Sequence, residues 1–87
     1  MTIDEVVPLT NGLSVVAGTQ TLVCDRTRIT PVNDSVDVSF WIAGTDFVPR
    51  LRLKKDRLAR ATADEVARIV RSVARVAFTG ERHAVAR

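Results

Sequence analysis

The residues able to do covalent or acid–base chemistry are few, and their placing works against it. The chain has one cysteine, Cys24, one histidine, His83, and no tyrosine. A thiolate–imidazole pair would require His83 to fold back from the C-terminal segment onto Cys24, which lies inside a run of strand-forming residues. Cys24 reads as a small hydrophobe in a sheet and His83 as a solvated side chain. The ten carboxylates are scattered through turns, caps and strand faces, and none is spaced as an acid/base pair. A lone cysteine excludes an intrachain disulfide and a cysteine-built zinc cage. Gly12, Gly18, Gly44 and Gly80 each have a turn or cap explanation, so no phosphate loop is present. No metal or cofactor is expected, and the chain is not expected to be an enzyme.

Binding chemistry is better supplied. Trp41 is the only tryptophan, and on the following segment Val48, Arg50, Arg52 and Lys54 share its strand face. An aromatic ring beside cations suits single-stranded nucleic acid, with a base on the ring and phosphates on the guanidiniums. The same residue types are enriched at protein-interface hot spots, and an uncovered sheet face suits a second copy. The plainer reading pairs Asp37 across to Arg52 or Lys54 and packs Trp41 on arginine stems. A second cationic set, Arg68, Arg71 and Arg75, lies at i, i+3 and i+7 of a helical segment. It is a possible anion-binding stripe, or a solvated face whose long stems shield the core.

The elements that must hold these groups follow from periodicity. Val36, Val38, Phe40 and Ile42 alternate with Asp37, Ser39 and Trp41, the period-two pattern of a half-buried strand. Gly44-Thr45-Asp46 turns the chain. Phe47, Leu51 and Leu53 then continue the apolar face, with Pro49 on that side. Upstream, Asn11-Gly12 suggests a type I′ hairpin between Val6–Leu9 and Leu13–Val16, with Pro8 confining the first strand to an edge. Gly18-Thr19 offers another turn, Thr21–Ile29 a longer strand, and residues 31–35 a loop. The basic stretch Leu51–Arg57 leads out of the last strand. Thr62-Ala63-Asp64-Glu65 is a capping box that starts a helix. Val66, Ile69, Val70, Val73 and Ala77 form its apolar stripe, and Gly80 is its expected C-terminal cap. The predicted fold class is α+β: a two-layer domain over 1–80, with an antiparallel meander of four to five strands followed by one C-terminal helix packed on one sheet face. A mobile tail is expected over 81–87.

Composition agrees with a single small domain. Leu, Ile, Val and Phe supply 27 of the 87 residues, well above the roughly 20% below which disorder is expected. The net charge of +3 comes from 13 basic and 10 acidic residues, interspersed, with no long basic run. The lone thiol suits a reducing compartment. No apolar run reaches the ~18 residues of a membrane span, and the acidic start lacks the order of a secretory signal. A soluble cytoplasmic protein is expected. Eleven Arg against two Lys, with many Val and Ala, point to GC-rich coding in a bacterium or its phage. The leading expectation is a self-associating interaction module that uses Trp41, Val48, Arg50, Arg52 and Lys54, in a regulatory or phage-assembly role. The partner would be itself or another protein, with no membrane. The alternative is a nucleic-acid-binding protein using the same face and the helix stripe.

Overall fold

The alternation in the third strand is the organising feature of the molecule. Val36, Val38, Phe40 and Ile42 have no exposed surface. Burying each such side chain fully is worth about 1.5–3 kcal/mol. The computed structural model describes residues 1–85, with side-chain surroundings given for residues 1–79. In chain order the elements are α1 (Ile3–Thr10), β1 (Ser14–Ala17), β2 (Gln20–Val32), β3 (Ser35–Ile42), β4 (Arg50–Lys54), α2 (Lys55–Arg60) and α3 (Ala63–Val85). The four strands form one antiparallel meander in the order β1-β2-β3-β4. α3 packs on it to complete the expected α+β architecture.

The N-terminal segment departs from the expected edge strand. Residues Ile3–Thr10 are helical, not extended. Thr2 donates its N–H (3.1 Å) and its hydroxyl (2.9 Å) to the Glu5 carboxylate, and the Glu5 N–H donates back to the Thr2 carbonyl at 3.2 Å, a close relative of the capping box that starts a helix. Val6 and Thr10, one turn apart, bury completely against the core. Pro8 removes one helical donor, but packing outweighs that loss in so short a helix. Asn11-Gly12 is therefore the exit from α1 and not a strand–strand hairpin. Asn11 has φ −68° and ψ 122°, Gly12 has φ +87°, and the Leu13 N–H donates to the Thr10 carbonyl at 3.1 Å. Only Gly12 is left-handed, so the turn is type II where type I′ was expected.

Gly18-Thr19 joins β1 to β2, with Ala17 opposite Gln20. The expected loop over 31–35 shrinks to Asn33-Asp34. Pro31 and Val32 pair with Val36 and Ser35, and Asn33 takes the left-handed φ of +56° that its short side chain tolerates. The basic stretch beyond β4 enters α2 directly, and Leu58 is buried there.

At the start of α3, the Glu65 N–H donates to the Thr62 hydroxyl at 3.2 Å, and that hydroxyl lies 3.3 Å from the Glu65 carboxylate. The buried stripe is Val66, Val70, Ala74 and Phe78, flanked by Ile69 and Val73. Its axis is rotated slightly from the expected one. The Phe78 ring meets Phe47 edge-on, with centroids 5.8 Å apart. Gly80 does not end α3, which continues to Val85; a single interior glycine costs only about 1 kcal/mol. Side chains of the expected tail over 81–87, His83 included, lie outside the described residues. No helix among the described residues is long and apolar enough to cross a membrane.

Candidate functional site

Each strand presents alternate residues to the core, so the remaining residues define the outer face. On β3 and β4 the register sets Asp37 opposite Arg52, Ser39 opposite Arg50 and Ser35 opposite Lys54. The pairing continues past the end of β4: the Phe40 N–H donates to the Pro49 carbonyl at 3.2 Å and the Ile42 N–H to the Phe47 carbonyl at 3.1 Å. That register puts Val48 across from Trp41. The sequence-derived set Trp41, Val48, Arg50, Arg52 and Lys54 is thus brought onto one face. Arg50, Arg52 and Lys54 are exposed, Trp41 is partly buried, and Val48 is 38% exposed.

β2 adds residues that sequence reasoning missed. Asp25 pairs with Trp41 and Arg28 with Ser39, with an irregularity between them. Arg26 and Thr27 together oppose the single position of Phe40, which is a β-bulge. Arg26 adopts φ +53°, a conformation that costs a non-glycine residue of order 1 kcal/mol. Its N–H donates to the Asp25 carboxylate at 2.8 Å, and Thr27 is tied to Asn11. The bulge turns the Arg26 guanidinium over the Trp41 ring, 5.6 Å from its centroid, within cation–π range. A shallow cleft of about 300 Å³ beside this pair is lined by Asp25, Arg26, Trp41, Gly44, Thr45 and Asp46, among others. A bulge cannot be read from composition. The only signal is four consecutive polar residues, Asp25-Arg26-Thr27-Arg28, interrupting a strand.

The cations on the face are not equivalent. Arg52 donates to both oxygens of Asp37, at 2.6 and 3.1 Å. This bond holds the Asp37 carboxyl below its ordinary range and pushes the Arg52 guanidinium further up. Arg28, Arg50 and Lys54 have no hydrogen-bond or ion-pair partner among the described residues and remain available. Arg28 and Arg50 flank Ser39 in one row across three strands. That row lies two residues, about 7 Å, from the row of Trp41. Val16 and Val23, 62% and 39% exposed, extend the apolar end. The face is therefore graded, from valine and tryptophan at one end to free cations at the other.

The helix stripe lies elsewhere and is partly committed. Arg71 donates its Nε–H to the Ser14 carbonyl at 3.1 Å, and Arg75 donates to the Val16 carbonyl at 2.9 Å. These carbonyls belong to the edge strand β1. Arg68 has no such partner among the described residues and lines a shallow cleft with Asp64, Arg71, Ser72 and Arg75. Because α3 continues to Val85, Arg75 does not sit at its C-terminal dipole.

Of the two residues considered as a catalytic pair, Cys24 and His83, only Cys24 has a described side chain. Cys24 is fully buried on the core side of β2, and burial pushes its thiol pKa up, so it is neither nucleophilic nor accessible. No group of three His, Cys, Asp or Glu side chains with metal-binding geometry occurs among the described residues. No protein-family model, curated protein or solved structure matches the chain.

Proposed function

We propose that this chain is a non-catalytic interaction module that docks its partner on the outer face of the sheet. One observation carries the reading. The buried apolar side chains of the sheet all belong to the opposite face, whereas the outer face keeps Trp41, Val48 and a row of free cations with no element of the described chain over them. Trp41 is the anchor; Arg28 and Arg50 occupy the neighbouring row, and Lys54 lies further along the face opposite Ser35. The buried Cys24 thiol and the engagement of Asp37, Glu5 and Glu65 in an ion pair and two helix caps support a binding role over a chemical one. The reducing cytoplasm suits the free thiol.

A second reading is self-association, supported by the apolar end of the face. Val16, Val23 and Val48 lie at the end of the face away from Arg28, Arg50 and Lys54, so two copies meeting there would keep those charged ends apart. Size exclusion with light scattering, run with and without a short oligonucleotide, tests both. A mass above the monomer, or a mass shift on adding the oligonucleotide, is expected to disappear in Trp41→Ala. A chain that stays monomeric in both conditions, or whose complexes ignore Trp41→Ala, overturns the docking face.

A further inference from the structure

We infer that the partner of the outer face is a single-stranded nucleic acid, an inference that rests on that face being the docking surface. Three features converge. First, the face is electropositive: it carries Arg26, Arg28, Arg50, Arg52 and Lys54 against Asp25 and Asp37, with Asp46 at the rim beside Trp41, and only Arg52 is held by a strong ion pair. Bringing two such faces fully together would oppose like charges, whereas an anionic chain would relieve them.

Second, the bulge at Arg26 and Thr27 builds a stacking platform. Arg26 already covers part of the Trp41 ring, the place a planar base would take or share. A guanidinium on an indole and a base on an indole use the same flat surface. Third, the strand register sets the row that carries two free cations next to the row that carries the ring. The Arg28–Ser39–Arg50 row runs parallel to the Asp25–Trp41–Val48 row, about 7 Å away. Every nucleotide presents a ring and a phosphate at short, constant separation, whereas an acidic peptide carries a ring only where an aromatic residue happens to stand beside its carboxylates. A duplex keeps its bases stacked and would offer Trp41 nothing.

The inference is tested by anisotropy of a labelled ~12-nucleotide oligothymidylate, titrated with protein across a range of salt. Contact with three to four phosphates predicts a log–log salt slope of about −2 to −3, and Arg28→Ala and Arg50→Ala should each make it shallower by about 0.7. Trp41→Ala should weaken binding about tenfold or more with less effect on the slope. Arg26→Gly removes the guanidinium yet suits the φ of +53°, so it should fold at least as well and still bind more weakly. Circular dichroism of each variant separates lost binding from lost structure.

Equal affinity for a duplex of the same length would overturn the single-strand assignment. Equal competition by polyglutamate would overturn nucleic acid while leaving the docking face intact. A slope that responds to Arg68→Ala and not to Arg50→Ala would move the anion site to α3 and overturn the face itself. No binding of any polyanion at ~50 mM salt would refute the inference; the docking face would fall with it only if Trp41→Ala also left the protein's mass unchanged.

Discussion

The Asn11 side-chain oxygen accepts two hydrogen bonds from Thr27, one from the backbone N–H at 2.9 Å and one from the hydroxyl at 2.7 Å. This contact ties the exit of α1 to the bulge in β2, and the bulge carries the Arg26 guanidinium to Trp41. An asparagine at a turn thus positions a group on the far side of the sheet. Asn11→Ala removes both bonds and is expected to cost about 1 kcal/mol in denaturant unfolding, because the site is exposed and water replaces part of the loss. Oligonucleotide affinity should fall even under conditions where the variant is fully folded. Asn11→Asp keeps an acceptor oxygen and should retain most of both. An Asn11→Ala protein with unaltered affinity would show that the bulge holds its shape without the tie.

Much of this arrangement was legible in the residues. The alternation from Val36 to Ile42, the Gly18-Thr19 turn and the capping box at Thr62 each act within a few residues, and each appears where the sequence puts it. The outer placing of Trp41, Arg50, Arg52 and Lys54 follows from the same alternation. The N-terminal helix is masked in the sequence because Val6, Val7 and Pro8 before Asn11-Gly12 imitate a hairpin. Yet Thr2-Ile3-Asp4-Glu5 repeats the pattern of Thr62-Ala63-Asp64-Glu65, and both start helices. Arg26 is hidden for a different reason. Its position depends on a bulge whose anchor, Asn11, is sixteen residues away, and nothing local encodes that contact.

Asp37→Asn should move stability and binding in opposite directions. Asp37 has its pKa lowered chiefly by the hydrogen bond from Arg52. A carboxylate depressed in the folded state stabilises the fold above its ordinary value near 3.9 and loses that contribution as pH falls through the depressed value. The wild-type denaturation midpoint should therefore drop below about pH 4, and Asp37→Asn should flatten that part of the profile. The same variant frees Arg52 on the outer face. Its oligonucleotide salt slope should steepen by about 0.7, with tighter binding at low salt. Weaker or unchanged binding would mean that Arg52 serves only to hold Asp37.

Thr10 offers a test of the core that is independent of the face. It is fully buried, and its hydroxyl has no hydrogen-bond partner among the described residues. A buried hydroxyl without a partner carries its desolvation cost uncompensated. Thr10→Val keeps the branched shape and removes the polar atom. Stability should rise by about 1 kcal/mol, which for a chain of this size lifts Tm by roughly 4–8 °C. Destabilisation by Thr10→Val would show that the hydroxyl is satisfied in solution.

The β1 edge of the sheet is covered by arginines from α3. On β1 the outward carbonyls of Ser14 and Val16 receive Arg71 and Arg75 from α3. An open edge strand invites pairing with another chain, and covering it with cationic side chains is a common defence. Val16 beside it is 62% exposed, so an uncovered β1 would offer both backbone acceptors and apolar surface. The double variant Arg71→Ala, Arg75→Ala should keep its fold, since both side chains are exposed. It should gain mass with concentration in light scattering, while Arg68→Ala, which lacks these bonds, should not. If the double variant matches the wild type across the whole concentration range, the arginines are not what keeps β1 from pairing.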